Sequence, residues 1–340
     1  MIQTFLTVLS PMLMLFLCMA IGFVLCKTKI LSGDAGKVMA KLLTWVFAPA
    51  LSFYTMAKFC TLENFSAGGS DILLSALGVG IALAIAIPLA SVFIKSKTYE
   101  RGVYKYALTF GNSGYVGDPL VLALFGVEGL FWYKIACLPI SIVIYTWGIS
   151  VLVAKKDGEK HNPFKTLLNA PMIAMLVGIV IGLIPGAGDF LIGKEGAFTF
   201  FGDTLNGLKS CYGPMAMILA GFTVARFDIG KMLRNARVYI ATALRLIVLP
   251  VVILGSLYGI MLLLNIIFGM AVDTFILFML FFAIAAPLGL NTVVFPEAYG
   301  GDPSTGASMA MISHTLCVIS IPLMFALMCV VFGTPPQMIV

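Results

Sequence analysis

The sequence is short of charge and almost empty of histidine. Of its 340 residues only 11% are charged, 15 are acidic and two are histidines. His161 and His314 alone cannot build a metal centre, and no two of the seven cysteines form a CxxC pair. Cys18, Cys26, Cys60, Cys137, Cys211, Cys317 and Cys329 all lie in or beside apolar runs, where cysteine serves as a small hydrophobe. No glycine-rich loop is suited to cradling a phosphate, no nucleophile motif is present, and no polar stretch is long enough for a soluble domain. An enzyme is therefore not expected, and neither is a cofactor. The net charge of +6 is no nucleic-acid footprint, because of where the positive charges sit.

What fills the chain is apolar: 61% of the residues are hydrophobic, which excludes an ordinary soluble protein and points to a polytopic membrane protein. A helix needs about 20 apolar residues to cross a bilayer. The apolar runs predict ten spans, at 5–26, 38–57, 72–94, 103–125, 130–154, 170–191, 200–225, 238–260 (extendable to 268), 274–295 and 307–332. The first is too long for a signal-peptide core and has neither a basic start nor a small-residue cleavage site, so it reads as a mature helix.

The basic residues fall into alternate loops. Lys27, Lys29, Lys37 and Lys41 flank the first loop; Lys95, Lys97, Arg101 and Lys105 the third; Lys155, Lys156, Lys160 and Lys165 the fifth; Arg226, Lys231, Arg234 and Arg237 the seventh. The opposite loops hold only Lys58 and Lys194. The positive-inside rule makes the crowded side cytoplasmic, and ten spans then leave both termini outside a cell membrane.

The two halves repeat. "SPMLMLFLCMAIGFVL" (10–25) is similar to "APMIAMLVGIVIGLIP" (170–185), with Pro11, Met12, Ile21 and Gly22 matching Pro171, Met172, Ile181 and Gly182. Pro49, Pro88, Pro119 and Pro139 in spans two to five find counterparts in Pro214, Pro250, Pro287 and Pro322 in spans seven to ten. Five spans is an odd number, so the second copy is inverted. The expected organisation is a first repeat at 1–154, a cytoplasmic loop at 155–169 and a second repeat at 170–340. Inverted repeats with broken helices at the midplane are a mark of secondary transporters.

The stretch "TFGNSGYVGDPLVLALFG" (109–126) predicts such a break. Pro119 removes a helical hydrogen bond, Gly111, Gly114 and Gly117 weaken the helix, and Asn112, Ser113 and Asp118 are costly in hydrocarbon unless partnered. Its partner is span nine, where Pro287, Gly289, Asn291 and Thr292 repeat the theme. A plain proline kink would account for the prolines and glycines but not for two asparagines, a threonine and a carboxylate. Asp before Pro is also a good helix start, so Asp118 is expected to cap the second half of span four.

These motifs resemble the auxin efflux carrier family, which includes the plant PIN proteins and many bacterial organic-acid transporters. "GNSGYVGDPL" is similar to its span-four segment, "APLGLNTVVFPEAYGGD" to its span-nine segment and "LLTWVFAPALSF" to its span-two segment. The resemblance covers nearly the whole chain. It implies an all-α polytopic membrane protein with two inverted five-helix repeats, crossing broken helices four and nine, and elevator-like movement of small organic anions; members can be homodimers. Asn112 and Pro119 match the span-four motif, and Pro287 and Asn291 the span-nine motif. Asp118 departs from the family pattern, where an apolar residue precedes the proline.

The resulting substrate site is Asn112, Ser113, Tyr115, Pro119, Pro287, Asn291 and Thr292, with Asp118 as the ion-coupling residue. Asn112 and Asn291 are each expected to face the other's half-helix. Lys209 would balance a substrate carboxylate; it could instead snorkel, or pair with Asp203. Arg245 is expected to reach the cytoplasmic interface, Lys134 to snorkel outward, and His314 to be a hydrogen-bonded structural histidine. Two rivals stand beside an organic-anion carrier surrounded by lipid. One is a sodium- or proton-coupled carrier of similar architecture, such as the bile-acid or sodium/proton exchanger groups, which needs a carboxylate-rich site. The other is a membrane sensor, which needs a signalling domain.

Overall fold

A computed structural model describes residues 2–95, 98–152, 168–193, 198–228, 230, 233–299, 303–336 and 338. The helices are α1 (Ile2–Lys27), α2 (Ala35–Phe59), α3 (Leu62–Phe93), α4 (Tyr99–Thr109), α5 (Ser113–Ala136), α6 (Leu138–Leu152), α7 (Ala170–Leu183), α8 (Ala187–Ile192), α9 (Thr199–Ala225), α10 (Ala236–Phe268), α11 (Phe275–Ile284), α12 (Asn291–Tyr299) and α13 (Ser304–Phe332). Among the described residues no sheet forms; the only strand-like pairing is a single antiparallel bridge between Gly111 and Leu288. The expected inter-repeat loop lies almost wholly outside the described residues, as do Lys97, Lys155, Lys156, Lys160, Lys165, Lys194 and Lys231.

Among the described residues seven helices are long and apolar enough to cross a membrane, and α6, α7 and α11 are shorter apolar helices. One of the seven, α5, is not a single rod. Gly126 has φ 65° and ψ −165°, outside the helical region. The Tyr133 hydroxyl donates to the Ser113 carbonyl at 2.9 Å, and Lys134 is ion-paired with Asp118. In a straight helix residues 16 to 20 apart would lie about 24–30 Å from each other. The chain therefore reverses at Gly126, and 113–125 and 127–136 are two antiparallel limbs.

Three of the four wide turns among the described residues precede a proline; the fourth, Ile144–Gly148, does not. The three occupy Leu43–Phe47, Ser113–Gly117 and Leu244–Val248, each just before a proline: Pro49, Pro119 and Pro250. A proline ring collides with the carbonyl four residues back, and a wide turn moves that carbonyl aside without ending the helix. The predicted span at 170–191 does not run through. Its helix stops at Leu183, because Pro185 follows and Gly186 adopts φ 75°.

Large apolar side chains cover the outside of the molecule, including Leu6, Leu13, Leu17, Ile21 and Val24 on α1 and Ile319, Leu323 and Val330 on α13. Such a surface suits hydrocarbon. Inside, small residues bring backbones together, as membrane helices require. A Cβ at Gly22 of α1 would lie 2.0 Å from the Ile218 carbonyl oxygen of α9, and one at Gly221 of α9 would lie 1.8 Å from the Met19 oxygen. In the other half, a Cβ at Gly182 of α7 would lie 2.6 Å from the Met56 oxygen of α2. α1 thus packs closely against α9, and α7 against α2.

Candidate functional site

Two helices are interrupted in the interior. α4 ends at Thr109, Phe110 is extended, and α5 starts after Asn112; α11 ends at Ile284 and α12 starts at Asn291. The interruptions lie against each other. The Asn112 N–H donates to the Pro287 carbonyl at 2.7 Å beside the Gly111–Leu288 bridge, and the Leu288 N–H donates to Ser313 Oγ at 3.0 Å. Backbone groups freed by leaving the helix are thus paired within the protein, as burial in a membrane demands. A Cβ at Gly111 would lie 2.6 Å from the Ala283 oxygen and 2.5 Å from Arg245 Nη2, so a side chain there would separate the two segments.

The break in span four lies earlier than expected. Asn112, not Asp118, caps α5: its Oδ1 accepts from the Tyr115 N–H at 3.3 Å. Asp118 is helical, at φ −54° and ψ −53°. The wide turn over Ser113–Gly117 accommodates Pro119, so the proline needs no fresh helix start.

Asn112 is 4% exposed, and its amide is fully oriented. His314 Nδ1 lies 2.7 Å from the Ala310 carbonyl, which can only accept, so Nδ1 carries the proton. Nε2 is then the acceptor for Asn112 Nδ2 at 2.9 Å. One amide proton points at His314, the amide oxygen caps α5, and the second amide proton remains for a ligand. His314 is thus hydrogen-bonded, and it also positions the asparagine. His314→Ala is expected to weaken ligand binding about tenfold, the cost of one unmet buried hydrogen bond, while His314→Gln keeps an acceptor and most of the affinity. Titration of the purified variants checks this.

Asn291, at the start of α12, donates through Nδ2 to the Tyr106 hydroxyl of α4 at 2.8 Å. Tyr106 is fully buried, and nothing in its sequence setting, beside Tyr104 and Lys105, singles it out. Thr292 is fully buried and turned onto the Gly289 carbonyl at 2.8 Å, where it supports the start of α12. The half-buried Tyr115 ring stacks on Tyr212 of α9, with centroids 6.5 Å apart. The Ser113 carbonyl accepts from Tyr133. Asn112, Ser113, Tyr115, Pro287, Asn291 and Thr292 are therefore gathered around the interruptions. Pro119 packs against Gly213 of α9, on the flank of that group. Lys209, one turn before Tyr212 on α9, is buried with Nζ 4.7 Å from the centre of the Tyr54 ring, and among the described residues it is neither snorkelling into water nor paired with Asp203.

Two further charged residues depart from expectation. Lys134 does not snorkel; the reversal at Gly126 brings it back to Asp118, which is 2% exposed. Arg245 does not reach the cytoplasmic interface. It is 1% exposed and donates from Nη1 to the Leu108 and Thr109 carbonyls and from Nη2 to the Ala283 carbonyl, each at 3.3 Å. Its partners are backbone oxygens, which leave no trace in the side-chain sequence.

The arrangement can hold an anion. The N-termini of α5 and α12 carry partial positive charge, the Asn112 amide adds a directed donor, and the ion pair neutralises Asp118. A family model described as "membrane transport protein" matches residues 7–325. No curated protein matches the chain.

Proposed function

The chain belongs to the auxin efflux carrier family of membrane transport proteins, and from that premise we propose that it is a secondary carrier of small organic anions, with a carboxylate held where spans four and nine cross. The observation that carries this reading is the pair of interruptions joined through Asn112 and Pro287, with Asn112 held by His314. A buried amide is costly in a membrane interior unless its groups are met, and the second amide proton of Asn112 is left for a ligand to meet.

The proposed architecture is ten spans in two inverted repeats. The matched glycine contacts, α1 on α9 and α7 on α2, support the repeat, and the reversal at Gly126 supports separate spans four and five. The glycine-packed helices α1, α2, α7 and α9 contain neither interruption, which suits a fixed body past which the site-bearing helices move. Asp118 is the proposed coupling group. A proton on Asp118 would release Lys134 and add one positive charge beside the anion.

Both termini are proposed to lie outside the cell membrane. In a cysteine-free background, Gly158→Cys should be blocked only by membrane-permeant reagents, and Gly193→Cys by impermeant ones as well; the reverse pattern contradicts the orientation. The function itself is tested by reconstituting the purified chain in liposomes with labelled mono- and dicarboxylates. Saturable uptake of at least one is expected, and uptake no faster than in protein-free liposomes for every carboxylate would refute it.

A further inference from the structure

Arg245 is a buried cation among backbone oxygens. Among the described residues the ion pairs are Lys37–Asp34 and Lys134–Asp118, so no carboxylate faces it. Its Nε is buried and lacks a hydrogen-bond partner. A lone guanidinium in a membrane interior is expensive and requires a compensating charge. The three carbonyls it meets belong to the last turns of α4 and α11, whose oxygens have no helical N–H to accept from. Each helix C-terminus carries about half a negative charge, so two of them sum to about one, which one guanidinium cancels.

We infer that Arg245 is the fixed counter-charge of the paired interruptions: a positioning residue that binds the C-terminal ends of both broken helices and leaves the opposite, N-terminal ends of α5 and α12 unopposed for the anion. Three observations converge on it. The guanidinium bridges α4 and α11, which are otherwise separate in sequence. Its Nη2 marks the Gly111 position where the segments touch. A cavity of about 20 Å³ adjoins it, lined in part by Thr109, Gly111 and Ala283, which is room for one water molecule beside the charge. Without Arg245 the two negative helix ends would face each other across this space, and a mobile cation would be drawn in to replace it. The inference deepens the proposed anion site and rests on that reading only for its effect on affinity; the charge compensation stands independently.

The test separates the two. The full chain carrying Arg245→Ala is purified, and its thermal unfolding is followed without any carboxylate. The midpoint is expected to fall by several degrees, and low-millimolar guanidinium ion should restore most of the loss while leaving the wild type unmoved. Arg245→Lys, which keeps the charge but not the fork, should fall between the wild type and Arg245→Gln. If the alanine variant does not fold, the lysine and glutamine variants decide: equal stability and equal anion affinity in both would overturn the inference. So would an alanine variant as stable as the wild type, or one indifferent to guanidinium. Guanidinium rescue without any carboxylate binding would leave the counter-charge standing and remove the anion site.

Discussion

Asp118→Asn is expected to abolish the pH dependence of transport while leaving the carrier folded. In the wild type Asp118 lies against Lys134, and with both groups ionised the pair is neutral. Protonating Asp118 frees Lys134, so an anion nearby meets one more positive charge and binds more tightly. Anion affinity should therefore rise as pH falls. Asparagine cannot ionise, so Lys134 stays uncompensated at every pH, and the variant should be fixed at the affinity the wild type reaches in acid. Its amide oxygen can still accept from Lys134, which limits the structural loss. Asp118→Ala offers no such acceptor and should lose about 3–5 kcal/mol of stability through the stranded lysine. Flux in liposomes over a pH series checks the first outcome. Combining Asp118→Asn with Lys134→Gln should restore weak, pH-independent binding, because both charges are then gone.

The second large effect belongs to the two asparagines. Asn112→Ala removes the cap of α5, the partner of His314 and the proposed donor to the anion at once. Losing the cap costs about 1 kcal/mol. Losing a directed hydrogen bond to a charged group adds about 1.5–3 kcal/mol to binding alone, or roughly 10- to 150-fold in affinity. Asn291→Ala removes the bond to Tyr106 and the amide that starts α12 beside the proposed anion, but no cap of α5, so its stability loss should be smaller. Both should bind carboxylate much more weakly than they unfold more easily. Equal affinity for the wild type and both variants would mean that the anion sits elsewhere.

The two places that matter are legible because polar and helix-breaking residues are out of place in hydrocarbon. Asn112 with its flanking glycines, and Asn291 after Pro287, mark both interruptions from composition alone. The position of the first break is not legible, because proline looks like a helix start. In the structure the wide turn at Ser113–Gly117 absorbs Pro119, and the cap moves back to Asn112. The partner of Lys134 is hidden because sixteen residues separate it from Asp118, and only the reversal at Gly126 joins them. Two opposite charges at matching depth in successive antiparallel spans are the available signal. Arg245 carries no such signal. Acids announce themselves in a sequence, whereas its partners, the ends of α4 and α11, are carbonyls that every residue has. Tyr106 is hidden for another reason: in the sequence it does not differ from its neighbour Tyr104 until Asn291 is found on its hydroxyl.

The central claim is that a carboxylate binds beside the paired interruptions, and protection of a single thiol tests it most directly. Ser113 is half-buried at the start of α5, next to Asn112. In a cysteine-free background, Ser113→Cys is labelled with a small thiol reagent in liposomes, with and without a carboxylate the protein transports. The account predicts that saturating substrate slows labelling severalfold, that Asn112→Ala removes this protection, and that a cysteine at Phe268, on the exposed end of α10, is labelled at the same rate with or without substrate. Undiminished labelling at 113 while the same variant carries substrate would contradict it.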